Sequence, residues 1–227
     1  MECNDCWIYA QNGLGEEALR CFRQMQNEGV YPDVVSYISS LKACSILGCL
    51  EFGQDIDAEV RKQGLLQKSI MLSTALMDMY SKCGALEKAH EVFAQLPEQN
   101  VISWNAMITG HVQHGLGYEA LTFFKKMQDA RISPDVVTYI CVLKACGIVG
   151  SLDIGEEIDA KVRKKGLLKK DVTLGNALVD MYSRCGVLEK AEEVFEQLPE
   201  HNVVAWSSLI TGYALNGLGN EALKCFK

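Results

Sequence analysis

A chain of 227 residues, 48% hydrophobic and 22% charged, carries enough apolar material for one or two folded domains and is not a disordered tail. Its formal net charge of −7 excludes a global positive field that recruits nucleic acid, so any such binding has to come from a local surface. No apolar run approaches the roughly 20 residues that cross a bilayer, so neither a transmembrane helix nor a membrane partner is expected.

The N-terminal MECNDCWIYA has neither a basic segment followed by an apolar stretch nor the Arg/Ser-rich composition of a transit peptide. Ten cysteines in a small secreted protein would suggest disulfides, but nothing marks secretion. Several recur at matching positions, Cys44 with Cys146, Cys83 with Cys185 and Cys21 with Cys225, and read as small core residues in a reduced compartment.

Taken in order, the chain repeats. LKAC at 41–44 returns at 143–146, ALMDMYSKCG at 75–84 as ALVDMYSRCG at 177–186, and WNAMITG at 104–110 as WSSLITG at 206–212, always at an offset of 102 residues. Within each 102-residue block the hydrophobic pattern restarts three times. The units run 1–33 (partial), 34–69, 70–100, 101–135, 136–171, 172–202 and 203–227 (partial). In the complete unit 101–135, Trp104, Met107, Ile108 and Val112 form one apolar stripe at helical spacing. Gly115 and Gly117 then end that helix, and Ala120, Leu121, Phe123, Phe124 and Met127 form a second stripe. Pro134 closes the unit, and Asp135 stands where a side chain accepts hydrogen bonds from the free N–H groups of the next helix. Asn100 and Asn202 occupy the same place after Pro97 and Pro199. Strand patterns are absent. A single pair of such helices cannot bury both stripes whereas a stack can, so the expected fold is all-α, an α-solenoid of helix-turn-helix repeats. The chain starts inside one 35-residue unit and stops inside another with no polar capping helix, which predicts a fragment of a longer protein.

With three alternating lengths, SWNAMITG…EALTFFKKM…PD in one unit, SYISSLKAC and TYICVLKAC in the next, and ALMDMYSKCG…VF…LPE in the third, the chain resembles the pentatricopeptide repeat family. The match is to its plant-type subclass, which cycles P, L and S variants of about 35, 36 and 31 residues. The resemblance implies an organellar protein, of mitochondrion or chloroplast, that binds single-stranded RNA at about one nucleotide per repeat. It implies a specificity factor for RNA processing or editing that works with an editing or processing protein in trans. The base-reading residues it implies are the fifth and last of each P or S unit: Thr74 with Asn100, Asn105 with Asp135, and Asn176 with Asn202, favouring A, U and a pyrimidine. Ser207 is the fifth residue of the last unit. In the first unit the fifth position falls on Cys3, and that unit is not readable. The L units carry Ile38 and Ile140 there, with no hydrogen-bonding group, so the expected register is A-U-N-Y. The second position supplies a surface for a stacked base: Val35, Met71, Ile102, Val137 and Val204, with Thr173 departing from the pattern. Lys82 and Arg184, equivalent in the two S units, are placed to reach phosphates. Binding by an acidic chain with few legible units is expected only at low salt.

Each assignment has a plainer alternative. Asp135, Asn100 and Asn202 are ordinary helix N-caps. Cys3-x-x-Cys6 has the spacing of half a metal site without a second half, and His111-x-x-His114 lacks a third ligand and reads as a solvated helix end, so no metal or other cofactor is expected. Arg163, Lys164 and Lys165 read as a wet helix face, and Phe93, Phe123, Phe124 and Phe195 as packing. No phosphate loop, nucleophile elbow or His-x-Glu deaminase motif occurs, so the chain is not expected to be an enzyme. The alternative function is a protein-interaction α-solenoid, and a third is a decayed gene product without a role of its own.

Overall fold

The structure, a computed structural model, describes residues 14–168 and 170–225. Cys3, Cys6, Phe226 and Lys227 lie outside the described residues. The described residues form thirteen helices and no strand. They are α1 (Gly15–Asn27), α2 (Val34–Leu47), α3 (Leu50–Lys62), α4 (Ile70–Lys82), α5 (Leu86–Ala94) and α6 (Val101–Gln113), then α7 (Gly117–Asp129), α8 (Val136–Val149), α9 (Leu152–Lys164), α10 (Val172–Arg184), α11 (Leu188–Glu196), α12 (Val203–Leu215) and α13 (Gly219–Lys224). They belong to two units, one ending at His114 and the other beginning at Gly115. None is long and apolar enough to cross a membrane.

Two kinds of helix alternate. In the first unit α2, α4 and α6 stack in a row, with α3 and α5 each packed on the first helix of its own pair and on the next. The second unit repeats this, with α8, α10 and α12 in the row and α9 and α11 beside them. The row helices are apolar nearly all round because they are covered by neighbours on three sides. Leu72, Leu76, Met77 and Met79 of α4 are fully buried, as are Leu174, Leu178, Val179 and Met181 of α10. Trp104, Met107, Ile108, Ala120, Phe123, Phe124 and Met127 are buried as their spacing predicts, while Val112 and Leu121 are only half-buried.

Each S-unit first helix stops at a glycine in left-handed geometry, Gly84 at φ 78° and Gly186 at φ 79°. There the N–H of Ala85 donates to Tyr80 O at 2.8 Å and that of Val187 to Tyr182 O at 3.0 Å, which satisfies carbonyls that the helix end leaves bare. The next row helix closes the same end from the side. His114 Nε2 bonds Ser81 O at 2.5 Å in the first unit, and Asn216 Nδ2 donates to Ser183 O at 3.0 Å in the second.

The L and S pairs are joined by a polar strut that occurs twice. Tyr80 Oη donates to Asp57 Oδ2 at 2.7 Å, while Arg61 Nε donates to Asp57 Oδ1 at 2.8 Å and Arg61 Nη1 to Gln95. In the second unit Tyr182 bonds Asp159 at 2.8 Å, and Arg163 bonds Asp159 at 2.8 Å and Gln197 at 2.7 Å. Both carboxylates are buried. Burial, and then the bond to the carboxylate, pushes the Tyr80 and Tyr182 phenols well above their usual range.

All the described cysteines are free thiols. Burial pushes Cys44 and Cys146 up to about 12, so both stay protonated at neutral pH. Iodoacetamide at pH 8 is therefore expected to leave both unlabelled while it alkylates the half-exposed Cys49, read by peptide mass spectrometry.

Candidate nucleic-acid interface

Every row helix begins on a side chain that caps it. Asp33 accepts from Ser36 N at 2.8 Å, Ser69 from Leu72 N at 3.3 Å, and Asn100 from Ile102 N and Ser103 N at 3.0 and 3.1 Å. Asp135 accepts from Thr138 N at 2.8 Å, Asp171 from Leu174 N at 3.0 Å, and Asn202 from Ala205 N at 3.0 Å. No helix between the rows has a side-chain cap among the described residues. The capping alternative is thus structurally correct for Asn100, Asp135 and Asn202, and it extends to Ser69 and Asp171, which the sequence reading passed over.

Capping also decides which way the two asparagines face. A backbone N–H can only donate, so Oδ1 of Asn100 and of Asn202 must point at the helix and Nδ2 must point away. In the second unit this brings together one predicted pair: Asn176 Nδ2 donates to Asn202 Oδ1 at 3.1 Å. The fifth residue of one row helix therefore lies beside the cap of the next. Asn176 is buried, and its Oδ1 has no partner among the described residues. The structure shows no bond between Thr74 and Asn100 within the first unit; the Thr74 hydroxyl donates to Ile70 O at 2.8 Å, leaving its oxygen as an acceptor. Asn105 is buried in the first unit, Asp135 is exposed in the second, and Ser207 is exposed on α12.

The second residue of each row helix faces water. Val35, Met71 and Ile102 are exposed in the first unit, Met71 to 70%, and Val137, Thr173 and Val204 in the second. An apolar side chain is left wet at this place, three residues before the fifth position, in every row helix except α10, where the polar Thr173 stands. Lys82 and Arg184 stand on the same row helices, but each is held by a carboxylate one turn away. Lys82 pairs with Asp78 at 2.8 Å, and Arg184 pairs with Asp180 at 2.9 and 3.0 Å. These pairs are partly exposed and individually worth about 0–1 kcal/mol, so an incoming phosphate can compete for the cation, against a carboxylate that stays behind.

Two readings need correcting. Arg163 is not part of a wet face but of the strut, whereas Lys164 and Lys165 are exposed as read, the Lys165 ammonium 5.5 Å from the Tyr139 ring. His111 is not at a solvated helix end; it is 3% exposed and bonded to His90. The signal for the strut was present in the sequence: an Asp and a Tyr 23 residues apart, at core positions of two successive helices, recur as Asp57/Tyr80 and Asp159/Tyr182.

Comparison with known proteins agrees with this geometry. A model described as the PPR repeat family matches residues 99–147, and one described as the PPR repeat matches 8–30, 73–101, 176–203 and 204–227. A chloroplastic pentatricopeptide repeat-containing protein of Arabidopsis thaliana is 38% identical over 95% of this chain and 35% of its own length. A pentatricopeptide repeat-containing protein of the same plant that is named as mitochondrial is 34% identical over 97% of this chain and 37% of its own. The chain thus spans about a third of the length of these relatives. The crystal structure of the pentatricopeptide repeat protein PPR10 in complex with an 18-nt psaJ RNA element superposes with a TM-score of 0.76, at 20% identity, over 97% of this chain and 33% of that one. At that identity the likeness speaks for the fold.

Proposed function

We propose that this chain, which belongs to the pentatricopeptide repeat family, binds single-stranded RNA with the capped ends of its row helices, one base between successive helices. The observation that carries the reading is the Asn176–Asn202 contact beside the exposed apolar second positions. An amide edge close to the wet apolar side chains Val137 and Val204 of the neighbouring row helices supports it. Capping and reading are compatible, because the cap consumes one oxygen and leaves the rest of the side chain. An asparagine cap then offers a donor, which suits the ring-nitrogen acceptor of adenine or cytosine. An aspartate cap offers an acceptor, which suits the N–H of uracil or guanine. By the pattern that the family resemblance implies, Thr74/Asn100, Asn105/Asp135 and Asn176/Asn202 read A, U and a pyrimidine, with Ser207 opening a further position. Val35, Met71, Ile102, Val137, Thr173 and Val204 contribute stacking surface, and Lys82 and Arg184 contribute phosphate contacts.

The relatives' names support an organellar setting in chloroplast or mitochondrion, and the alternation of P, L and S lengths supports a role in guiding RNA processing or editing performed by another protein. A second reading, a scaffold that binds proteins, is favoured by the ion pairs that neutralise Lys82 and Arg184.

The test is a titration of oligonucleotides at low salt. An A-U-N-Y RNA is expected to bind at least tenfold better than its G-C scramble. Asn100→Asp should keep the cap, with a stability change of a few tenths of a kcal/mol, and move the first preference from A toward G. Asn105→Thr should move the second from U toward G. Unchanged base preference in both variants defeats the reading, and a protein recovered by pull-down without RNA binding favours the scaffold.

A further inference from the structure

The junction between the S and P pairs of the first unit holds two histidines that base reading does not use. His90 of α5 and His111 of α6 face each other, Nε2 to Nε2, at 3.0 Å, with ring centroids 5.0 Å apart and planes inclined by 50°. His111 Nδ1 lies 2.7 Å from Met107 O. A carbonyl only accepts, so Nδ1 carries the proton and the Nε2 lone pair is turned toward His90. This is the orienting bond that metal-ligating imidazoles make with their second nitrogen. His114, the partner suggested by sequence spacing, is engaged with Ser81 O instead.

We infer that His90 and His111 form a two-imidazole chelate for a divalent transition ion of tetragonal preference, nickel(II) or copper(II). The separation suits ligands at a right angle better than a tetrahedral pair. With metal–nitrogen bonds of about 2.0–2.1 Å, two nitrogens 3.0 Å apart subtend about 90–97° at the ion. That is the angle between adjacent ligands of a square or octahedral centre, well short of the roughly 109° of tetrahedral zinc. Binding replaces one shared hydrogen bond by two metal–nitrogen bonds; the His90 ring gives up its Nε2 proton and takes one at Nδ1, so it stays neutral, with no net proton release and no redox step. No group of three or more His, Cys, Asp or Glu able to hold an ion occurs among the described residues, so water completes the coordination. The second unit supplies its own control. The equivalent positions there are Glu192 and Tyr213, which are hydrogen-bonded to each other and contain no imidazole.

The experiment uses nickel(II), which thiols do not reduce, on the chain without a histidine tag. Equilibrium dialysis at pH 7.5 is compared between the chain and the double variant His90→Glu/His111→Tyr, which installs the pair the fold already accepts in the second unit. One equivalent of nickel is expected to be lost in the double variant and kept in His114→Ala. Two paramagnetically shifted imidazole signals should appear in the proton NMR spectrum of the loaded chain and vanish in the variant. Equal stoichiometry in the chain and the double variant, or loss of the equivalent in His114→Ala, overturns the assignment. Circular dichroism confirms that each variant folds, so a null result counts against the site and not against the variant.

Discussion

Asp159→Ala lowers the unfolding free energy of the second unit by about 3–5 kcal/mol, the range for removing one member of a buried charged pair. The carboxylate accepts from both Tyr182 Oη and Arg163 Nε in a buried position, and alanine leaves the phenol without an acceptor and the guanidinium with only the longer 3.4 Å pair to Glu193. Asp159→Asn retains an oxygen for Tyr182 and should cost about 1–2 kcal/mol; Tyr182→Phe, which removes a donor while Arg163 still serves the carboxylate, should cost about 1 kcal/mol. Urea unfolding followed by far-UV circular dichroism measures all three. In a stack of repeats, stability is close to a sum of unit and nearest-neighbour terms. Hydrogen exchange should therefore accelerate first in α9 and α10, which the strut joins, and an Asp159→Ala loss below 1 kcal/mol would mean that Arg163 and Tyr182 find water at little cost. Asp57→Ala is the same experiment in the first unit.

Gly212→Ala is the second large effect, and its sign is contested by two terms. Alanine is a better helix former than glycine by about 1 kcal/mol. Against this, a Cβ on Gly212 falls 2.5 Å from both Cβ and Oγ of Ser183, and one on Gly110 falls 2.5 Å from Oγ and 2.9 Å from Cβ of Ser81. A hydroxyl can rotate away, but a Cβ moves only with its helix, so α10 and α12 have to separate. Overpacking of this kind costs about 1–3 kcal/mol, which less the propensity gain leaves a net loss of about 0–2 kcal/mol. Ser183→Gly in the same chain restores the space and should recover most of the loss that Gly212→Ala causes. The separation also parts Asn176 from Asn202, so on the proposed reading base preference at that position fades before the helix stack melts. Thermal unfolding and the oligonucleotide titration together separate the two consequences.

The alternation of helix and turn could be read directly from sequence, because apolar stripes at helical spacing, Gly-ended turns and a 102-residue repeat all reinforce one another. Side-chain detail was readable where it is local. Asp135 caps the helix that follows it by accepting from an N–H three residues on, and the Pro–Asp pair announces it. Contacts that join different helix pairs were not readable in the same way. The partner of His111 is 21 residues earlier, and the i, i+3 spacing to His114 pointed to the wrong nitrogen. Arg163 sits in a run of basic residues whose neighbours are exposed, and only the fold shows that its guanidinium reaches back to Asp159 and across to Gln197. The candidate interface was legible as a set of positions. Asn100, Asp135 and Asn202 were legible as caps too, but which atom of each asparagine the helix claims was not.

That division of labour within one side chain has a genetic consequence. Asparagine and aspartate codons differ by a single transition in their first position, and both residues cap a helix nearly equally well. On the proposed reading, a single-nucleotide substitution at Asn100 or Asn202 exchanges donor for acceptor at a base while the fold barely registers it. Stability and target choice then drift independently. A lineage of such proteins can move from one transcript to another without passing through misfolded intermediates.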